Sequence, residues 1–167
     1  MQPLASPVSG LNSLRAVTVL MVEDDPDDVY LTREALRASR MRIDLPVVSD
    51  GVEAMQYLRR EGRYAQCHRP DLVLLDLNLP LMDGREVLMT IKEDPALTDI
   101  PVVILTTSQA EEDIAVSYRQ HASCYISKPV GIEEFRAVLA CVESFWFTIV
   151  QLPAENTRSG TAKGRQR

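Results

Sequence analysis

Five short apolar runs, each followed by a helix-start signal, constrain this chain more than any other feature. The runs are Val17–Val22, Leu45–Ser49, Leu72–Leu75, Val102–Leu105 and Cys124–Ile126. They are rich in Val, Ile and Leu and do not alternate strictly with polar residues, the pattern of strands covered on both faces. Asp25-Pro26 sets a capping side chain before a proline suited to the first helical position. Asp50 with Glu53, Asp83 with Glu86 and Ser108 with Glu111 each have capping-box spacing or its aspartate analogue. A last helix is expected from about Gly131 to about Phe147, with Ile132, Phe135, Val138, Leu139 and Val142 at the helical period. Five β-then-α units predict an α/β domain whose parallel sheet carries helices on both faces.

The rest of the chain bounds that domain. With 167 residues there is room for one domain with its own core and short extensions. Residues 1–15 read as a flexible leader, 16–147 as the domain and 148–167 as an extension ending in a basic tail, with Arg158, Lys163, Arg165 and Arg167 against Glu155. Apolar residues at 46% and charged residues at 25% exclude wholesale disorder, and a net charge of −6 argues against gripping nucleic acid through its phosphates. Three cysteines, Cys67, Cys124 and Cys141, without C-x-x-C spacing predict reduced, buried thiols. Only two histidines are present, so Cys67-His68 reads as a surface coincidence and not as a ligand pair. The N-terminus lacks a basic start followed by an apolar run, and no stretch approaches the ~18 apolar residues of a membrane span. A cytoplasmic protein with no membrane or nucleic-acid partner is expected.

In parallel α/β sheets, ligands sit beyond the carboxyl ends of the strands. Here those ends carry Glu23, Asp24 and Asp25 after the first strand, Asp76 after the third, Thr106 and Thr107 after the fourth, and Lys128 before Pro129 after the fifth. Several carboxylates brought together cannot all stay ionised unaided. Their pKa values rise or a cation joins them. Magnesium suits such a set, since it takes one or two carboxylates, a carbonyl and waters. A carboxylate beside a bound cation, an ammonium and a hydroxyl has the parts needed to accept a phosphoryl group. Taken singly, each residue has an ordinary reading: a solvated helix start, a turn aspartate, a loop Lys-Pro, a helix-entry threonine. The joint arrangement, one group per central strand, is what points to chemistry.

At these residues the chain resembles the response-regulator receiver domains of two-component signalling. The matching segments are VLMVEDDPDD (19–28), PDLVLLDLNLPLMDG (70–84), IPVVILTTS (100–108) and CYISKP (124–129), and the resemblance spans about residues 15–147. It implies a flavodoxin-like, doubly wound, five-stranded parallel sheet of order 2-1-3-4-5. It implies Asp76 as phosphoacceptor, Asp24 as a direct Mg2+ ligand, Glu23 acting through water and Asn78 offering its backbone carbonyl to the metal. Thr106 matches the switch hydroxyl, Lys128 the family's lysine and Tyr125 the aromatic switch position. Pro129 implies a cis Lys128–Pro129 bond that aims the lysine inward. Asn78 and Ser108 flank the site and are expected to tune the lifetime of the acyl phosphate. Two departures stand out. Thr107 occupies a position where many members carry a smaller residue, and Asp25 adds a third acid, read here as a helix cap. EDDPDD, LTTS and FWFTIVQLP (145–153) make the chain most similar to single-domain regulators paired with bacterial phytochromes, which implies a sensor histidine kinase as partner.

The region after the last helix is too short for a DNA-binding domain, so output is expected through protein contacts. Phe145, Trp146, Phe147 and Ile149 form an apolar cluster, and three of the chain's nine aromatic residues are successive there. A helix packed on a sheet hides one stripe only, so this segment predicts a homodimer or partner surface; the alternative is folding back over its own domain. Other functions fit these residues less well. A haloacid-dehalogenase-like phosphatase normally carries its nucleophile after the first strand with a second Asp two residues on, whereas here the +2 residue is Asn78. A flavodoxin-like cofactor binder needs a phosphate loop where this chain has acids. A degenerate receiver acting only as an interaction module would lack site residues that are all present here.

Overall fold

The computed structural model describes residues 16–39, 41–108 and 110–145. The expected leader, the tail and the cluster residues Trp146, Phe147 and Ile149 lie outside the described residues. So does the stretch in which the last helix was expected to end.

A central strand, β1 (Val17–Val22), pairs in parallel with β4 (Leu72–Leu75); β4 pairs with β5 (Val102–Thr106) and β5 with β6 (Cys124–Ser127). The other edge of β1 carries two short strands, β2 (Ile43–Asp44) and β3 (Val47–Val48). The sheet order is β2-β1-β4-β5-β6, the expected 2-1-3-4-5 with its second strand divided. The division falls at Pro46, which has no N–H to give to a ladder, although its carbonyl still accepts from Met21 N at 2.9 Å.

Both faces of the sheet are buried, and the side-chain period of two decides which residue goes where. Leu20, Val22, Val73, Leu75 and Ile104 join Ala54, Leu58, Val87, Leu88 and Ile91 from α2 (Gly51–Leu58) and α3 (Gly84–Glu93). Val19, Leu72, Leu74, Val103 and Leu105 face the other way, onto Phe135, Leu139 and Val142 of α5 (Ile132–Glu143), with Leu31 and Ala35 of α1 (Pro26–Arg37) beside them. The contiguous apolar runs are thus two alternating sets. Ile132, counted as a core position by period, is exposed because it opens α5 beyond the sheet. Cys67 and Cys124 are half-buried and Cys141 is exposed, so the expectation of three buried thiols fails, most clearly at Cys141. No helix among the described residues is long and apolar enough to cross a membrane.

Three helix starts follow their capping residues, whereas α4 (Glu111–Arg119) and α5 begin without a side-chain cap, α5 after Gly131. Asp25 Oδ1 accepts from Asp27 N at 2.9 Å ahead of Pro26, and Asp50 Oδ1 accepts from Glu53 N at 2.7 Å. Asp83 and Glu86 form a reciprocal capping box at α3. For α4, which begins after Ala110, this departs from expectation. Ser108, the expected cap, instead donates its hydroxyl to Asp113 Oδ2 at 2.5 Å.

Gly84 fixes how closely α3 approaches β4. A Cβ there would lie 2.1 Å from the Asp76 carbonyl oxygen and 2.7 Å from Leu77 Cα, both backbone atoms that cannot swing away. Gly84→Ala gains up to about 1 kcal/mol of helix propensity but forces overpacking that costs about 1–3 kcal/mol. The variant is therefore expected to be less stable than the native chain, read as a lower urea midpoint with an unchanged slope.

Candidate functional site

Strand register brings the polar groups together. Val22 pairs with Leu75 and Leu75 with Ile104, so Glu23 and Asp76 leave the sheet side by side while β5 runs two residues further to Thr106. Thr106 pairs with Ser127, and Lys128 follows, its N–H donating to Thr106 O at 2.7 Å. Asp76 N donates to Val22 O at 3.1 Å and Glu23 N to Val48 O at 3.0 Å, so both backbones are still in the ladder where the side chains diverge. One carboxylate oxygen from each of Glu23, Asp24 and Asp76 lies within 4.8 Å of the others, with Glu23 and Asp76 buried and Asp24 exposed.

The cation inside this group is Lys128. Its Nζ donates to Glu23 Oε2 at 2.5 Å, to Asp28 Oδ2 at 2.7 Å and to Asp76 Oδ2 at 3.1 Å. An ammonium has three N–H donors, so all three are engaged. Burial works against the charged lysine, but hydrogen bonds to Asp28 and Glu23 and the charge of Asp76 outweigh it and hold the ammonium well above its ordinary range. Glu23 goes the other way. Burial pushes its pKa up to about 7, the hydrogen bond and charge of Lys128 pull it down only in part, and the Asp76 charge adds to the rise. Glu23, Asp24, Asp28 and Asp76 against one ammonium leave a surplus of negative charge. Hard oxygen donors, strong surplus charge and a glutamate displaced upward by burial fit a divalent cation held by Asp24 and Asp76 with Glu23 close by.

Around the pocket, Thr106 is fully buried and its Oγ1 accepts from Ser108 N at 3.3 Å. Tyr125, half-buried on β6, donates its hydroxyl to Ser108 O at 2.8 Å. Asn78 N donates to Asp76 Oδ1 at 3.2 Å, which steadies the carboxylate from the following loop. Asp25, as expected, is engaged as helix cap. The expected cis Lys128–Pro129 bond is absent, since no described peptide bond is cis. An X–Pro amide separates its isomers by only ~0.5–1 kcal/mol, so local sequence does not choose between them, and the strand register alone brings Lys128 to Asp76.

Two features had no place in the sequence reading. Asp28, in the first turn of α1, is one of the three acceptors on Lys128; it closes the EDDPDD segment, but the sequence assigns it no role. Arg85, at the start of α3, binds Asp113 of α4 through Nε at 2.8 Å and Nη2 at 2.6 Å, and also reaches Asp83 Oδ2 at 3.1 Å. The Arg85 and Ser108 hydrogen bonds hold the Asp113 carboxyl below its usual range.

Comparison with known proteins agrees with this geometry. Residues 19–140 match the model of the response regulator receiver domain. Over 136 residues the chain is 45% identical to the response regulator Rcp1 of Synechocystis sp., covering 81% of this chain and 92% of that protein. The crystal structure of the phosphorylated cyanobacterial phytochrome response regulator RcpA superposes with a TM-score of 0.81 at 47% identity, covering 84% of this chain and all of that one. The Mn2+-bound form of Rcp1 superposes with a TM-score of 0.80 at 44% identity, over 83% of this chain and 99% of that one. A receiver is a phosphoacceptor signalling protein with an acidic divalent-metal site and a sensor histidine kinase as its donor, which displaces the phosphatase reading. With a matching family model over most of its length and its acids, hydroxyl and ammonium gathered at the strand ends, the chain belongs to the response regulator receiver domain family.

Proposed function

We propose that Asp76 accepts a phosphoryl group from a phosphohistidine of a sensor histidine kinase, and that the kinase is a phytochrome acting in the cytoplasm. The observation that supports this best is Lys128 Nζ at 3.1 Å from Asp76 Oδ2, inside a pocket where Glu23, Asp24 and Asp76 converge within 4.8 Å. Asp76 attacks phosphorus in line. The new P–O bond forms as the P–N bond to the imidazole breaks, and the ring nitrogen keeps the electron pair and takes up a proton. The chain supplies position and charge compensation. Asp24, Asp76 and the Asn78 carbonyl would hold Mg2+, with Glu23 acting through water; the ion, when bound, neutralises the charge that arrives with the phosphoryl group. Lys128 pairs with one phosphoryl oxygen and the Thr106 hydroxyl moves to another.

That move releases Thr106 Oγ1 from Ser108 N and leaves space that Tyr125 fills, which reshapes the face formed by α4, β6 and α5. The phosphoryl group shifts this equilibrium only through contacts that differ between the two states, and the Thr106 hydroxyl supplies one. The phytochrome assignment rests on the similarity to Rcp1 and RcpA. Output passes through a homodimer surface built on Phe145, Trp146, Phe147 and Ile149. Phe145 is 51% exposed, the kind of apolar surface that marks an interface.

Asp76→Asn is expected to abolish labelling by a phosphodonor, and label retained in that variant would reject Asp76 as the acceptor. Profiling of phosphotransfer should favour a light-regulated kinase. In chelator, the raised Glu23 pKa contributes stability that is fully present below about pH 4.5 and is lost as pH rises through about 7. Mg2+ should reverse the fall and Glu23→Gln should flatten it, both readable from urea midpoints across pH. Truncation after Glu143 is expected to shift sedimentation from dimer to monomer; a native chain that stays monomeric at high concentration, with and without phosphorylation, rules out the dimer.

A further inference from the structure

Of the three carboxylates around Lys128, Asp28 has no part in the reaction proposed above. It lies in the first turn of α1, and its backbone is pinned because its carbonyl accepts from the hydroxyl of fully buried Thr32 at 2.8 Å. Its Oδ2 lies 2.7 Å from Lys128 Nζ, nearer than Asp76 Oδ2 at 3.1 Å. Its side chain is 23% exposed where that of Lys128 is 4%, so Asp28 closes the ammonium off on the side towards solvent. The carboxylates that converge as a cation site are Glu23, Asp24 and Asp76, and Asp28 is not one of them.

These distances give the lysine a fixed attitude. A flexible side chain carrying three donors points any one of them reliably only when the other two are held. Glu23 and Asp28 make the two shorter bonds, which leaves the third N–H directed at Asp76. We propose that Asp28 is a positioning residue: it acts through Lys128 and orients the ammonium towards the Asp76 carboxylate and the phosphoryl oxygen that arrives there. This rests on Asp76 being the phosphoacceptor. The opposite role, in which Asp28 draws the lysine away from Asp76, predicts a change of opposite sign on its removal.

The test uses the full chain with acetyl phosphate as donor and saturating Mg2+. Asp28→Ala is expected to slow labelling about tenfold, the effect of losing one charge-assisted hydrogen bond. In 15N spectra it should also speed solvent exchange of the Lys128 ammonium protons about tenfold. Asp28→Asn keeps an acceptor oxygen and should return both readings to within about threefold of native, while Mg2+ affinity stays within about twofold throughout. Asp28→Ser, too short to reach Nζ but well suited to a helix start, carries the same expectation as Asp28→Ala and serves if that variant fails to fold. Labelling of these variants at or above the native rate, unchanged ammonium exchange, or a parallel loss of Mg2+ affinity overturns the proposal. A native chain labelled at Asp76 with an unresponsive Asp28→Ala defeats this inference alone, whereas a native chain not labelled at Asp76 defeats the acceptor assignment and this inference with it.

Discussion

The pocket depends on one buried ammonium at the mouth of a parallel sheet. Lys128 is 8% exposed, and removing an ion of that size from water costs several kcal/mol. Its contacts with Glu23, Asp28 and Asp76 offset that cost, but a buried ion pair seldom stabilises a fold better than apolar side chains of similar volume. Core stability comes instead from the two apolar layers, where alternate residues of β1, β4 and β5 are fully or nearly fully covered. The charged pocket is better understood as a site held ready for an incoming negative group. Its surplus negative charge asks for a cation, and its ammonium asks for an anionic oxygen. A metal-bound phosphoryl group satisfies both.

Because the pocket is assembled by strand register, its geometry passes directly to the surrounding helices. Thr106 ends β5, and its hydroxyl is tied to the Ser108 amide. Ser108 then has two further partners, Tyr125 through its carbonyl and Asp113 through its hydroxyl. Asp113 in turn is gripped by Arg85, which sits next to Gly84, and Gly84 lies against the Asp76 backbone. A closed circuit of contacts therefore runs from Asp76 through the β5–α4 loop and back. Under the proposed switch, movement of the Thr106 hydroxyl would strain the Ser108 junction, where a backbone amide, a carbonyl and a side-chain hydroxyl are all committed. Packed elements of this kind respond by exchanging one set of contacts for another.

Much of this was legible before any coordinates. The strands at β1 and β4 match their apolar runs end to end, because burial on both faces leaves a run that nothing else in a soluble domain requires. Caps at Asp25, Asp50 and Asp83 were readable because a capping side chain acts within three residues of itself. The same locality explains the failure at Ser108, whose hydroxyl found Asp113 a turn further on. The second strand, expected as the single run Leu45–Ser49, is divided because Pro46 inside it has no N–H for the ladder.

What the residues alone determined was the set of groups at the strand ends and the sheet that would carry them, since both follow from local periodicity and from the limited ways of connecting five β-then-α units. Tertiary structure decided how those groups meet. Lys128 and Glu23 are 105 residues apart and Lys128 and Asp28 are 100 apart, so neither contact leaves a trace in local pattern. The pairing of β1 with β4, of β4 with β5 and of β5 with β6 sets which side chains share the pocket. Burial then pushes the Glu23 carboxyl up out of its ordinary range.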